Sequence, residues 1–451
     1  MLDKKKEDFL RRSRGLAGAA VVVCGMAAAW SARAADEHAT SASAEADALV
    51  AEALAHNPDL AAARQESEAA AARVKPAGAL QDPWLTVNYE NDGAAPSLGT
   101  EPMTRLQFMA TQAFPFPGKL ALAGKVANAD ARAVAVRPQR VALGLEGSVR
   151  RSYADLLEAR ENLRIVDEQI DTWRGIDETI RARYSAGMGS QQDVLRAQSE
   201  RTRLLQQRSR DEAAEKTVLS ALRRLLFRPL GAPIPTERRL LPTSSLAVPS
   251  SGEYLAKALT VTPELAEVAL VKERAALSVD LAKRNLRPDF LASAGYAYRG
   301  GLPLMWSAGV GVSVPLWAGS KQRPLIIEAE RLAEAASSQE ASLRRQAEAL
   351  TEERLIRLEQ LATEARFDAE GVLVQDRLSV ESALASYRTG TIPFVAVLEA
   401  LGTLFTDRRA AVSRLAGFLR TEADLREFSL ERSAAAIARS TPGTSSGAAG
   451  M

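Results

Sequence analysis

One sharp turn is written twice in this chain. Residues 183–198 read "RYSAGMGSQQDVLRAQ" and residues 386–401 read "SYRTGTIPFVAVLEAL". Tyr184, Gly187, Val194, Leu195 and Ala197 recur as Tyr387, Gly390, Val397, Leu398 and Ala400, each 203 residues later. Three further landmarks recur in the same order. "ALAHNPDL" from Ala53 returns as "ALTVTPEL" from Ala258, and "DPWLTVNYEN" from Asp82 as "RPDFLASAGYAYR" from Arg287. "FPFPGK" from Phe114 returns as "VPLWAGSK" from Val314. A long repeat restricts the fold more than composition does, because each copy must adopt one plan. That plan reads helix, strand, loop, strand, long helix, tip, long helix. The first copy spans 35–227, with strands near 83–91 and 103–113 and a tip near 184–193. The second spans 253–434, with strands near 288–299 and 303–314 and a tip near 387–396. A Pro/Ser-rich linker, 228–252, joins them, and the low-complexity stretch 435–451 reads as a disordered tail.

The helices before and after each tip are long. Leu156, Ala159, Leu163, Val166, Ile170, Trp173 and Ile180 follow 3,4 spacing, with Asp177 filling the remaining seam position. A 3.5-residue apolar period makes helices supercoil against a neighbour. Ile165 and Ile176 lie off that seam and mark a second contact face, as in a helix that stands in a wall. From Lys119 to Ser185 such an arm reaches about 100 Å at the helical rise per residue. Pro138 and Pro324 start or break the two arms.

The strands separate a soluble bundle from something else. Leu85, Val87 and Tyr89 alternate with Thr86, Asn88 and Glu90; Leu106, Phe108 and Ala110 alternate with Arg105, Gln107 and Met109. In the second copy Leu304, Trp306, Ala308, Val310, Val312 and Val314 share one face, while Ser307, Gly309, Gly311 and Ser313 share the other. Phe290, Tyr296 and Tyr298 fall together on the remaining strand. Segments that alternate apolar with small or polar, with Tyr and Trp near their ends, are how a membrane β-barrel is written. Four strands cannot close a barrel, and open edges are not tolerated in lipid. Copies must therefore pool strands; eight in a dimer or twelve in a trimer both satisfy the rule.

The first 34 residues read as a secretory signal. Lys4, Lys5, Lys6, Arg11, Arg12 and Arg14 precede the apolar run from Gly15 to Trp30, and "ARA" at 32–34 fits cleavage. Lipidation at Cys24 is the alternative, disfavoured by bulky Val23. This leader holds a net +4, while the whole chain is +2; the mature chain is therefore mildly acidic and carries no nucleic-acid footprint. Cys24 is the one cysteine, and His38 and His56 are the two histidines. Disulfides, a His-based metal site and a Ser-His-Asp triad are accordingly not expected. No phosphate-binding glycine loop is written, so the chain reads as neither an enzyme nor a cofactor binder.

The duplicated tips, with Tyr-x-x-Gly followed by Ser-x-x-Asp-Val-Leu at 190–195, and the "FPFPGK" exit resemble the TolC-type outer-membrane efflux proteins. The likeness covers 46–431 and leans to members serving heavy-metal and copper pumps. It implies a homotrimer with a twelve-stranded barrel in the outer membrane and a helical periplasmic tunnel shut at its far end. Its implied partners are outer-membrane lipid, a periplasmic adaptor protein and an inner-membrane pump of the RND type. Gly187, Met188, Gly189, Ser190, Gly390 and Thr391 would form the tips on which the adaptor docks. Asp193, Tyr387 and Glu399 would form the gate, with Tyr387 bonded to the Asp193 carboxylate. Two gate positions depart from the pattern: Ala396 replaces an acidic residue and Ile392 a basic one. The lipid-facing set is Leu85, Val87, Tyr89, Phe108, Tyr296 and Trp306. A periplasmic coiled-coil adaptor or scaffold is the alternative function, but it should carry one helical hairpin and compact β domains.

Overall fold

The computed structural model describes residues 44–98, 101–234, 240, 246–428 and 430. The signal segment, Cys24, His38 and the tail lie outside these residues, as do 235–239 and 241–245 of the linker. The described residues fall into two units. A tip unit takes the chain up to Asn57, then Ala142–Ala256 and Leu350–Phe428. A strand unit takes Pro58–Val141, Lys257–Ala349 and residue 430.

The elements follow the duplicated plan. The first copy holds α1 (44–56), α2 (Pro58–Ala72), α3 (Val74–Ala77), β1 (Trp84–Glu90), β2 (Arg105–Phe114), α4 (Lys119–Val134), α5 (Arg137–Ser185) and α6 (Gln191–Leu225). The second holds α7 (Ser251–Val261), α8 (Pro263–Arg284), β3 (Asp289–Arg299), β4 (Leu302–Ser313), α9 (Gln322–Phe367), α10 (Leu373–Thr389) and α11 (Phe394–Glu427). Pro138 and Pro324 both lie in the first turn of a helix, α5 and α9. Proline is tolerated there because the first turn's N–H groups have no helical partner. A π-helical turn, Asp368–Val372, separates α9 from α10. No spacing rule applied to the sequence anticipated it.

In the strand unit one sheet forms, ordered β1-β2-β3-β4 and antiparallel throughout. Its register matches the alternation in the sequence. Val87 faces Phe108, Phe108 faces Tyr296, and Tyr296 faces Trp306, so the apolar sets of four strands merge into one continuous face. The opposite face carries Asn88, Gln107, Ser293, Ser307 and Gly309, with the cross-strand pair Glu90–Arg105 at 2.6 Å near one end. Backbones crowd on this side: a Cβ on Gly295 would stand 2.5 Å from the Phe108 carbonyl oxygen. Below the sheet, the "FPFPGK" corner explains its lysine. Lys119 is buried and donates from Nζ to Asp289 Oδ1 at 2.8 Å and to the Arg287 carbonyl at 2.9 Å, tying the exit of β2 to the entrance of β3.

The tip unit is helical, and its core is the expected seam. Leu156, Ala159, Val166, Ile170, Trp173 and Ile180 of α5 are buried, and so are Ile165 and Ile176. One α5 helix thus presents two buried faces. The tip-proximal cluster joins it to Ala197 and Leu204 of α6, Val380 and Tyr387 of α10, and Phe394, Val397 and Leu401 of α11. A second cluster packs α1, the first turns of α5 and the end of α6 around Leu156, Leu157 and Leu222.

Candidate functional site

Two surfaces carry the chemistry: the exposed apolar face of the sheet and the paired tips. On the sheet, Leu85 is 79% exposed, Trp306 82% and Val310 85%, values that oppose the ordinary burial of large apolar groups in water. Val87, Tyr89 and Tyr296 are also exposed, while Phe108 is half-buried because its ring stacks on Tyr296 at 5.2 Å. Contiguous apolar exposure on this scale marks a surface made for a non-aqueous partner. Trp84 is on the other face, opposite Thr111, which its strand's alternation implied. Among the described residues no helix is long and apolar enough to cross a membrane.

Each tip reverses the chain at a left-handed glycine, Gly187 (φ 73°) and Gly390 (φ 79°). That conformation burdens any residue with a Cβ. After the first reversal Ser190 caps α6, its Oγ accepting from the Asp193 N–H at 3.2 Å. Asp193 therefore sits in the first helical turn, where the helix dipole favours a carboxylate. After the second, Pro393 takes the capping position without a side-chain bond, and Phe394 begins α11. Met188 is exposed, and Gly187, Ser190 and Thr391 are exposed with it.

Tyr387 is buried, its ring tilted on Phe394 at 5.7 Å, and Phe394 meets the edge of Trp173 at 6.0 Å. Burial raises the Tyr387 phenol above its ordinary pKa; the Asp193 charge adds to this and the Arg183 charge opposes it. The structure thus brings Asp193 and Tyr387 within electrostatic reach, with no hydrogen bond between them among the described residues of one subunit. Glu399 is exposed on α11, away from the buried Val397 and Leu401. Ile392 packs against the apolar cluster, where the resemblance has a basic residue.

Two features were not foreseen. Arg183, from the first tip, reaches the second: it donates to the carbonyls of Tyr387 and, at 3.1 Å, Arg388, and lies 4.8 Å above the Tyr387 ring. The signal was present as a break in the repeat, since the equivalent of Arg183 is Ser386. Farther along the second hairpin, Asp376 is held above the usual carboxylate range by burial and then by Asp407, which lies on α11. Asp376 Oδ2 is buried without a hydrogen-bond partner among the described residues.

A duplicated hairpin carrying a four-stranded, outwardly apolar sheet is an architecture that solved outer-membrane channels share. Residues 49–227 match the family model described as outer membrane efflux protein. The outer membrane protein VceC of Vibrio cholerae is 20% identical, over 85% of this chain and 95% of that one, with a TM-score of 0.72. The open-state MtrE channel of Neisseria gonorrhoeae is 16% identical over 85% and 88%, with a TM-score of 0.70. CusC, a transmembrane channel, is 16% identical over 85% and 90%, with a TM-score of 0.71. No curated protein sequence matches the chain. These likenesses share the fold, and they give the adaptor alternative no support.

Proposed function

We propose that this chain is one of three identical subunits of an outer-membrane exit duct. The duct passes substrate from an inner-membrane pump of the RND type and a periplasmic adaptor to the exterior. One observation carries the reading: the sheet has a continuous exposed apolar face and two unpaired edges, β1 and β4. In hydrocarbon each unpaired backbone group is costly, so other copies must supply the missing neighbours. The smallest bacterial barrels have about eight strands, which requires at least two copies. The TolC resemblance selects three, for twelve strands. Leu85, Val87, Tyr89, Phe108, Tyr296 and Trp306 then face lipid, and the small and polar face lines the lumen.

In the same reading, Gly187, Met188, Gly189, Ser190, Gly390 and Thr391 dock the adaptor. Asp193, Tyr387 and Glu399 form the gate. Threefold symmetry would ring the mouth with three Glu399 carboxylates, which favours cations. The cargo follows the heavy-metal and copper branch of the resemblance, and a deletion strain tests it by its sensitivity to copper or silver salts against that to lipophilic drugs. The decisive test of the duct is native mass measurement of the full chain in detergent, joined to conductance in planar bilayers. A trimer that conducts is expected; a monomer as the sole species, or a trimer that never conducts even with its gate disrupted, overturns the proposal.

A further inference from the structure

The two tips of one subunit are joined by a single guanidinium. Arg183 is in the last turn of α5, and Tyr387 and Arg388 are in the last turn of α10. Nη1 donates to the carbonyls of both α10 residues, the longer bond at 3.1 Å, and Nη2 donates to the Met188 carbonyl of its own tip at 3.3 Å. Carbonyls at the end of a helix lack helical partners and carry its negative dipole end. One cation therefore joins the C-terminal carbonyls of α10 to a carbonyl in the loop of the other hairpin's tip. The planar fork is needed for this, because an ammonium is a point charge and cannot hold a fixed set of diverging acceptors. The fit is close on all sides. The guanidinium covers the Tyr387 ring at 4.8 Å, and a Cβ on Gly390 would stand 3.2 Å from Nη2. Nε is buried and unbonded, so the attachment rests on the two terminal nitrogens.

We propose that Arg183 is a positioning residue that locks the second tip to the first within each subunit. The departures of the sequence fit this role. Ile392 offers no cation at its own position, and the guanidinium that covers the Tyr387 ring comes from the first tip. The repeat has serine at the equivalent position, so the lock is one-way: Arg183 crosses from tip one to tip two, and Ser386 cannot return the bond. The inference rests on the gate reading only where it concerns conductance.

Hydrogen exchange of the full-length protein in detergent reads the lock directly. In Arg183→Gln, amides of the second tip, Gly390 and Thr391 among them, should exchange about tenfold faster or more, given the usual strength of hydrogen bonds to a charged donor. The substitution lies in the first tip, and a role confined to that hairpin would leave the second tip's exchange unchanged. Arg183→Lys keeps the charge and should recover only part of the protection, and it stands in if the Gln variant does not assemble. Second-tip exchange equal to the parent's in either variant overturns the lock. Basal conductance of the same variants in bilayers separates the two readings. Faster exchange with raised conductance supports lock and gate together. Faster exchange with parental conductance supports the lock and removes the gate from these tips.

Discussion

Glu427 closes α11 inside the tip unit, and its seat depends on an atom that is not there. A Cβ on Gly147 of α5 would stand 2.3 Å from Glu427 Oε2, 2.8 Å from its Cδ and 2.9 Å from Arg151 Nη1. The carboxylate is 5% exposed and pairs with Arg151, whose Nη1 also bonds Asp424 Oδ1 at 2.8 Å. Gly147→Ala must therefore drive the carboxylate back by about 1 Å to reach ordinary contact. The buried surroundings leave it nowhere to go without loosening the pair. Breaking one side of a buried pair costs about 3–5 kcal/mol, and retreat rather than deletion sets this substitution at the low end, about 3 kcal/mol. For a helical unit of this size that lowers the melting midpoint by roughly 6–12 °C. The assay is thermal melting of the helical circular dichroism signal in detergent. Burial holds Glu427 above the ordinary carboxylate pKa, with Arg151 opposing. The folded state then binds its proton more tightly than the unfolded chain does. The contribution is greatest below the unfolded carboxylate value and declines as pH rises from there through the raised folded value. Glu427→Gln should remove that slope. A Gly147→Ala midpoint within a degree or two of the parent, with the slope intact, would refute the argument for a close seat.

Tyr387→Phe keeps the ring and removes the hydroxyl. If the hydroxyl bonds Asp193 in the assembled mouth, basal conductance rises, since the loss is about 1 kcal/mol per subunit and three subunits share it; unchanged conductance assigns Tyr387 to packing. Glu399→Gln should weaken cation preference in bilayer reversal potentials with little change in closure, because a pore-lining carboxylate acts on passing ions. Gly295→Val should abolish assembly into membranes, since the Phe108 carbonyl already occupies the space its Cβ needs; normal yield of the assembled protein would count against the sheet register. Fluorescence of Trp306, isolated by replacing the other tryptophans with Phe, should be quenched by brominated lipids and spared by aqueous quenchers.

Much of the fold was legible because periodicity reports which face a residue is on. The apolar alternation of four strands anticipated the merged face that pairs Val87, Phe108, Tyr296 and Trp306. The 3,4 spacing of α5 anticipated its buried seam, and Ile165 and Ile176, off that spacing, its second buried face. The two reversals at Gly187 and Gly390 followed from the repeat. Periodicity does not report which distant group a polar side chain will find. Lys119 meets Asp289 at 170 residues' separation, and Arg183 meets Tyr387 at 204. Neither pairing leaves a local pattern. The π turn at Asp368–Val372 escaped for a related reason. One extra residue in a helix is set by how neighbouring side chains settle, and the sequence "DAEGV" carries no mark of it. At the tip, the repeat drew attention to what matched, whereas Arg183 is informative because its counterpart, Ser386, does not.

The outer strands of the sheet differ in length. β1 has 7 residues and β4 has 12. When one subunit's β4 meets the next subunit's β1, at most seven residues can form a ladder, and the remainder of β4 projects past its neighbour. Those projecting amides and carbonyls find partners only in water or among lipid headgroups. In the proposed barrel the overhang would then set the depth in the bilayer: the hydrocarbon layer would lie across the shared length, with the excess of β4 beyond its boundary. In the proposed barrel that seam is no longer than the seven-pair β1–β2 ladder and, unlike it, joins separate chains, so under detergent or heat the cylinder should part between neighbours before any single chain unravels.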